Sequence, residues 1–256
     1  MGISRRTFLG AASAAVLGAC TSSRRAAGPG SASAEHRGPA ASTAPTGRAA
    51  PAAPAGPAAF VSHGPADSGR VAFTFHGSGD LGMLHDLLAA AKRLATPVTV
   101  FAVGSWLDQN PEVAGAILRD GHELANHTYT HPALGQAAAS VVADEIARCR
   151  DALTRHAGSP GAWFRPSGVD VPSALILAQA GRAGYPTVVG YDIDPLDYED
   201  PPAATIADRV AAKLHPGAIV SLHTGHAHTV AAFEPMVAAA RAHGLTPVRV
   251  GDLLPR

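Results

Sequence analysis

The stretch RVAFTFHGSGD, residues 70–80, sets the pattern from which the fold of this 256-residue chain is read. A short, mostly apolar run stops at His76, and a loop with two glycines and Asp80 follows. An apolar run of this length predicts a strand. A glycine-rich loop directly after it indicates backbone that passes close to another group.

The same order of strand and helix repeats along the chain. Further strands are predicted at 97–103, 122–126, 162–165, 187–191, 218–222 and 246–250, which makes seven with the first. Helices are predicted between them, at 83–95, 111–121, 137–157, 172–183, 202–214 and 230–243. Near-continuous apolar strands are typical of parallel sheets covered on both faces, and both an open doubly wound sheet and a closed barrel fit.

Polar residues favour the barrel. His76, His127, Arg165, Asp194 and His223 each follow or end a different strand. In a barrel the carboxyl ends of the strands converge on one mouth, whereas in an open sheet they spread along an edge. We therefore predict an irregular α/β barrel.

The first 60 residues are predicted to lie outside the folded domain. SRRTFLG, residues 4–10, resembles a twin-arginine export signal, and LGAC, residues 17–20, resembles a lipoprotein cleavage site. We predict a signal peptide over 1–20 with Cys20 lipidated, a disordered Ala/Pro/Gly-rich tether over 21–60, and one domain over 61–256. The protein would be exported and anchored to the membrane by its lipid.

Composition excludes some classes of function. The chain has no net formal charge and only 5% aromatic residues, so nothing indicates a nucleic-acid partner. With Cys20 lipidated, Cys149 has no partner for an intramolecular disulfide, and its helical context predicts a buried structural residue.

The strongest local signal is HELANHTYTHP, residues 122–132. His127 and His131 are four residues apart, which on a helical turn places both rings on one side for a single metal ion. The spacing alone is commoner among surface and packing histidines. The strand directly before it, and Asn126 as a residue able to orient a ligand, favour the metal site. A carboxylate or a third histidine would complete it.

GSWLDQNPEVAGAILRDGHELANHTYTHPAL, residues 104–134, resembles the polysaccharide deacetylases, carbohydrate esterase family four. Motifs in that family's order extend over about 71–254. The resemblance implies a distorted seven-stranded (β/α) barrel and one divalent metal ion, commonly zinc, although other divalent metals are possible. It also implies removal of N- or O-linked acetyl groups from glycans, with His127 and His131 as metal ligands.

The later motifs carry over with substitutions. RPSG, residues 165–168, stands for Arg-Pro-Pro-Tyr, so Arg165 would orient the catalytic base. In DPLDY, residues 194–198, Asp197 would hold a histidine and Tyr198 replaces a tryptophan. In SLH, residues 221–223, His223 would be the general acid, and Ser221 stands where the family often has leucine. The residues expected to contact substrate are Asp194, Tyr198, Leu222 and His226.

The FHGSGD loop departs most from the family, which reads Thr-Phe-Asp-Asp-Gly with one aspartate as base and one on the metal. Asp80 is the loop's only carboxylate. The glycines could let it reach the metal, with His76 as base. The reverse, with His76 on the metal and Asp80 as base, stays open, as does a degenerate site without turnover.

We therefore expect a monomeric, metal-dependent deacetylase of an N-acetylated glycan, such as peptidoglycan or chitin-like chains. O-acetylated xylan is a lesser alternative. Two other classes stay open, namely a glycan-binding lipoprotein that has lost turnover and a metal-scavenging lipoprotein that uses His226 and His228. Acetate release and its sensitivity to chelator discriminate between the three.

Overall fold

The computed structural model describes residues 56–254. The predicted signal peptide, Cys20 and almost all of the predicted tether lie outside the described residues. The strands are β1 Ala59–Val61, β2 Arg70–Gly77, β3 Thr99–Ala102, β4 Glu123–Asn126, β5 Thr187–Val189, β6 Ile219–His223 and β7 Thr246–Val248. The α-helices are α1 Leu81–Arg93, α2 Gly104–Gln109, α3 Glu112–Arg119, α4 Ala139–Ala157, α5 Ala174–Arg182, α6 Ala203–Ala211, α7 Ala227–Ala242 and α8 Val250–Leu253.

All strand pairs are parallel, as the apolar strands predict. Five strands form one sheet in the order β4-β3-β2-β6, with β7 also paired to β2, and β1 pairs with β5. Single parallel bridges join Phe164 to Asn126 and to Val188, and Ile193 to Val220. Isolated bridges rather than ladders therefore connect the two groups of strands, which makes this parallel α/β fold irregular.

Four elements differ from the predicted set. Residues 162–165 form only the bridges of Phe164, because Pro166 directly after them has no N–H to extend a ladder. The seventh strand is instead β1, which pairs with β5 and lies across the predicted domain boundary at residues 60 and 61. The short helices α2 and α8 were not predicted either.

Strand β2 lies at the centre of the sheet, and its apolar and polar side chains point to opposite faces. Phe73 and Phe75 pack edge-on against Phe233 of α7, with ring centroids 5.7 and 5.8 Å apart. Successive strand residues point to opposite faces, so Thr74 and His76 face the other way. The register pairs Thr74 with Ser221 and His76 with His223, which brings four polar side chains onto one face at the carboxyl ends of β2 and β6.

Within residues 56–254, none of the helices has both the length and the apolar content needed to cross a membrane.

Candidate active site

Three histidines converge at the carboxyl ends of β2 and β4. His76 lies near the end of β2, His127 follows β4 directly, and His131 lies in the next loop. One ring nitrogen of each histidine lies within 4.8 Å of those of the other two. His127 is buried, His76 is half-buried and His131 is exposed, so the group opens to solvent on one side.

Hydrogen bonding fixes the tautomer of His127. Its Nδ1 lies 2.9 Å from the carbonyl oxygen of Arg165, which can only accept, so Nδ1 carries the proton. Nε2 therefore has a free lone pair, and it lies 3.1 Å from Nε2 of His131. Two nitrogens each about 2.0–2.1 Å from a tetrahedral zinc lie about 3.3 Å apart, so this pair is spaced to share one ion.

The surroundings of the three histidines favour the neutral imidazole, which is the form that binds metal ions. Burial, and next the neighbouring His127 and Arg165, lower the pKa of His76 well below its usual value. Burial and the neighbouring His131 do the same to the pKa of His127, and burial lowers the pKa of His131. Metal ions bind neutral imidazole, so the three residues fit a divalent cation near neutral pH.

These shifts predict how the stability of the metal-free chain depends on pH. Below about pH 6.5 the unfolded chain binds protons on His76 and His127, whereas the folded chain keeps them neutral. The free energy of unfolding is therefore expected to be constant above about pH 7. Below about pH 6.5 it should fall by about 1.4 kcal/mol per pH unit for each of these histidines.

Urea unfolding with chelator present, at about pH 7.5 and about pH 5.5, measures this dependence. The His243→Gln variant, at an exposed position, serves as the control and should keep the wild-type profile. Equal stability at the two pH values would contradict the expectation.

Asp80 is not brought to the histidines. It is the N-cap of α1, and its exposed side chain accepts a hydrogen bond of 2.9 Å from the backbone N–H of Met83. The loop before it is held by Thr224, whose hydroxyl donates to the carbonyl of Ser78, and by Trp106, whose indole donates to the carbonyl of Gly79. The chain enters α1 directly afterwards, so capping is the role this carboxylate fills. The predicted set of His127, His131 and Asp80 is therefore not the one assembled.

Gly77, which takes the place of the second aspartate of the family motif, has no room for a side chain. A Cβ at Gly77 would lie 2.6 Å from Cγ1 of Val100 and 3.2 Å from Cα of Ala102. Distances this short require neighbouring atoms to move, and Val100 and Ala102 are fully buried. The position is therefore built for glycine, and the loop cannot simply revert to the family sequence.

Arg165 is buried but meets no carboxylate among its described contacts. Its guanidinium donates to the carbonyls of Val189 and Gly190 and to the hydroxyl of Thr74, at 2.8–3.0 Å. It also lies 4.0 Å from the ring centroid of Phe101, and burial lowers its pKa to about 9. The resemblance implied that Arg165 orients the base. Here its guanidinium links β2 to β5 through Thr74 and Val189, and its backbone carbonyl orients His127.

Asp197 and His223 form a close pair beside the three histidines. Oδ1 of Asp197 lies 2.7 Å from Nδ1 of His223, and Oδ2 accepts from the backbone N–H of His223 and the hydroxyl of Thr229. Asp197 is fully buried, and the His223 ring lies 4.4 Å from that of His76. The carboxylate fixes the proton on Nδ1, so Nε2 of His223 is free to exchange a proton.

Three of the four expected substrate-contacting residues lie around His223. The ring of Tyr198 is 5.5 Å from that of His223 and the ring of His226 is 6.0 Å from it. Asp194 is half-buried, burial raises its pKa, and its carboxylate accepts from the N–H of Leu196. The fourth, Leu222, does not lie there: it is fully buried in the hydrophobic core, on the opposite face of β6 from His223.

Residues 63–188 match the sequence model of a family described as polysaccharide deacetylase. The chain is 30% identical over 173 residues to a peptidoglycan-N-acetylglucosamine deacetylase of Bacillus cereus, which covers 66% of this chain and 79% of the relative. The chain belongs to the polysaccharide deacetylase family.

Other members of this family extend the comparison. A chitooligosaccharide deacetylase of Bradyrhizobium is 33% identical over 150 residues, which is 55% of this chain and 64% of the relative. The chain thus spans a little under two thirds of that relative's length. A structure described as a CE4 family pseudoenzyme from Bacillus anthracis superposes with a TM-score of 0.73 at 23% identity, over 77% of this chain and 69% of the other, and shows the same fold. The predicted family and α/β fold class are confirmed.

Three further side chains lie at this site, namely Thr74 and Tyr191, which were not predicted to belong to it, and Ser221, which was noted only as a departure from the family. Ser221 places its hydroxyl 3.1 Å from Nε2 of His76, and Thr74 accepts from Arg165. The ring of Tyr191 lies 6.4 Å from that of His76, and its hydroxyl donates to Asp170. The alternation of β2 and β6 could have indicated Thr74 and Ser221, since each is two residues from a predicted site histidine.

Proposed function

We propose that the chain removes acetyl groups from an N-acetylated glycan with the help of one divalent metal ion. The observation that carries the proposal is the placement of three neutral histidines beside the Asp197–His223 pair, in one opening of the fold. The first group can hold a cation and the second can move a proton, which are the two parts that amide hydrolysis needs.

His76, His127 and His131 would hold the metal, which, when bound, makes water more acidic and polarises the acetyl carbonyl. Zinc is our choice because three imidazole nitrogens suit it, and copper, nickel and cobalt are the competing ions for the same donors.

His223 would carry the proton in both halves of the reaction. With His76 among the ligands, Nε2 of His223 takes the proton from the attacking water as the new C–O bond forms. It then returns that proton to the nitrogen as the C–N bond breaks, which leaves acetic acid and a free amine, and the acid then loses its proton to give acetate. Asp197 keeps the proton of His223 on Nδ1 and stabilises the imidazolium between the two steps.

The substrate class follows from the relatives and the rim of the site. One relative is described as acting on chitooligosaccharides and another on peptidoglycan N-acetylglucosamine. Tyr198 is 49% exposed beside His223, and an aromatic face of this kind packs well against a sugar ring. We therefore favour a chitin-like or peptidoglycan chain, bound by a monomer.

The cellular setting is proposed from the N-terminal sequence. SRRTFLG and LGAC support export through a twin-arginine signal and attachment to the membrane by lipid on Cys20. A lipid-anchored domain would act on glycan outside the cytoplasmic membrane.

A second candidate is a surface protein that binds glycan or metal without turnover. The observation in its favour is the first motif, in which both family aspartates are replaced and Gly77 has no room for one. The pseudoenzyme of the same fold shows that the fold itself does not decide activity.

Acetate release decides between the two candidates. The full-length chain is incubated with chitin oligosaccharides and with peptidoglycan, with and without chelator, and its metal content is measured by mass spectrometry. Chelator-sensitive acetate release with about one metal per chain supports the enzyme. Bound metal with no acetate from either glycan would overturn the enzyme in favour of the binding protein.

A further inference from the structure

Two carboxylates are buried in the part of the chain that the structure describes, and both contact segments that carry site histidines. One is Asp197, which the resemblance assigns to His223. The other is Glu145 of α4, at 5% exposure, to which neither the motifs nor the proposed reaction gives a role. A buried carboxylate costs free energy unless it is hydrogen-bonded and compensated, so its partners indicate its use.

All three hydrogen bonds of Glu145 go to the segment between the two histidines of the His-x-x-x-His motif. Oε2 accepts from the backbone N–H groups of Tyr129 and Thr130, at 2.8 and 2.7 Å. Oε1 accepts from the hydroxyl of Thr130 at 2.6 Å. Glu145 therefore fastens the segment that sets the position of His131 to α4 by hydrogen bonds, and Arg148 of the same helix adds a cation–π contact to the ring of Tyr129, 3.9 Å from its centroid.

That segment needs fastening because its backbone is strained. Thr128 has φ of 68° and His131 has φ of 61°, both in the left-handed region that non-glycine residues seldom adopt. Residues in this region persist only where surrounding contacts hold them. Glu145 provides such contacts directly before His131.

The charges around the site indicate a second use for the carboxylate. The three histidines are neutral ligands and bring no negative charge, unlike the family's aspartate. Arg165 adds a buried positive charge with no carboxylate among its described contacts, and a divalent cation would add two more. Burial lowers the pKa of His131, but the negative charge of Glu145 acts to raise it. The carboxylate therefore favours a positive charge at the position of His131.

We propose that Glu145 is a positioning residue of the metal site, which fixes His131 as a ligand and supplies negative charge that compensates a bound divalent cation. The inference rests on the proposed metal-dependent function and adds to it a residue outside the family's motifs. It predicts that the charge of Glu145, and not only its shape, sets the affinity for metal.

The Glu145→Gln variant separates charge from shape. Glutamine has the same size, its amide oxygen can accept both backbone N–H groups, and its amide nitrogen can donate to the hydroxyl of Thr130. The full-length variant is expected to bind Zn²⁺ about 10-fold more weakly than wild type in chelator competition, within the 10–100-fold range seen for outer-shell partners. The melting temperature of its metal-free form should equal that of the wild type.

Two further variants complete the test. Asp151→Asn removes an exposed charge from the same helix and should leave the Zn²⁺ affinity unchanged. If Glu145→Gln lowers the metal-free melting temperature, Glu145→Asp is compared with it, and tighter Zn²⁺ binding by the aspartate variant supports a role for the charge.

Glu145→Gln with wild-type Zn²⁺ affinity, or a destabilised Glu145→Gln that the aspartate variant does not improve on, would overturn this inference alone. A wild-type chain that binds no Zn²⁺ or other divalent ion would overturn the metal-dependent function together with it.

Discussion

The Asp197→Asn variant is expected to release acetate about 10²- to 10⁴-fold more slowly than the wild type while keeping its metal. Asparagine preserves the shape of the side chain but removes its charge, and its amide can present an N–H to Nδ1 of His223. His223 would then carry its proton on Nε2, where it could not accept one from water. The turnover rate at saturating glycan measures the effect, and metal content measured in parallel shows that the ligands are intact.

Asp200→Asn provides the control for this change. Asp200 is also acidic and close by, but it is exposed and pairs with His228 at the rim, at 3.3 Å. Its replacement should leave turnover within about twofold of the wild type, as for most changes at exposed ion pairs. An Asp197→Asn variant as active as Asp200→Asn would remove His223 from the proposed proton transfer.

The His76→Ala variant is expected to bind metal more than about 100-fold more weakly than the wild type. Loss of an outer-shell partner alone weakens metal affinity 10–100-fold, and His76 is assigned as a ligand. Acetate release should fall with it. The matched variant is Asp80→Ala, which should bind metal normally. It should instead lose about 0.5–2 kcal/mol of stability, the usual cost of removing a helix N-cap.

The pair of variants also separates the two readings of the FHGSGD loop. If Asp80 were the third ligand, as the glycines and single carboxylate of this loop first indicated, the effects would be exchanged, with metal lost from Asp80→Ala and kept by His76→Ala. Chelator competition on both full-length variants, together with their melting temperatures, distinguishes these outcomes.

Much of this fold is readable from the sequence because its strands are apolar and its helices amphipathic. Within residues 56–254, six of the eight α-helices and six of the seven strands follow from periodicity. Strand β1 does not, because three residues after an Ala/Pro-rich segment carry no period, and its pairing with β5 joins residues far apart in the chain. Residues 162–165 have strand composition, but Pro166 limits them to bridges.

The site was predictable where a local rule applied. Leu222 could have been excluded, because a strand that turns His223 toward the site must turn its neighbour away. Asp80 could have been read as a cap, since it directly precedes a helical pattern. Glu145 could not have been found in this way, because only tertiary packing brings α4 against the segment between His127 and His131.

The hydrogen bond from the indole of Trp106 to the carbonyl of Gly79 makes Trp106 a natural fluorescence probe in this protein. The chain has two tryptophans, and the other, Trp163, donates to Glu123 at the amino end of β4. Trp106 instead contacts the loop that leaves His76, at 3.1 Å. In a Trp163→Phe background, the emission of the single remaining indole would therefore report on the loop that follows His76, without a label and without a substrate.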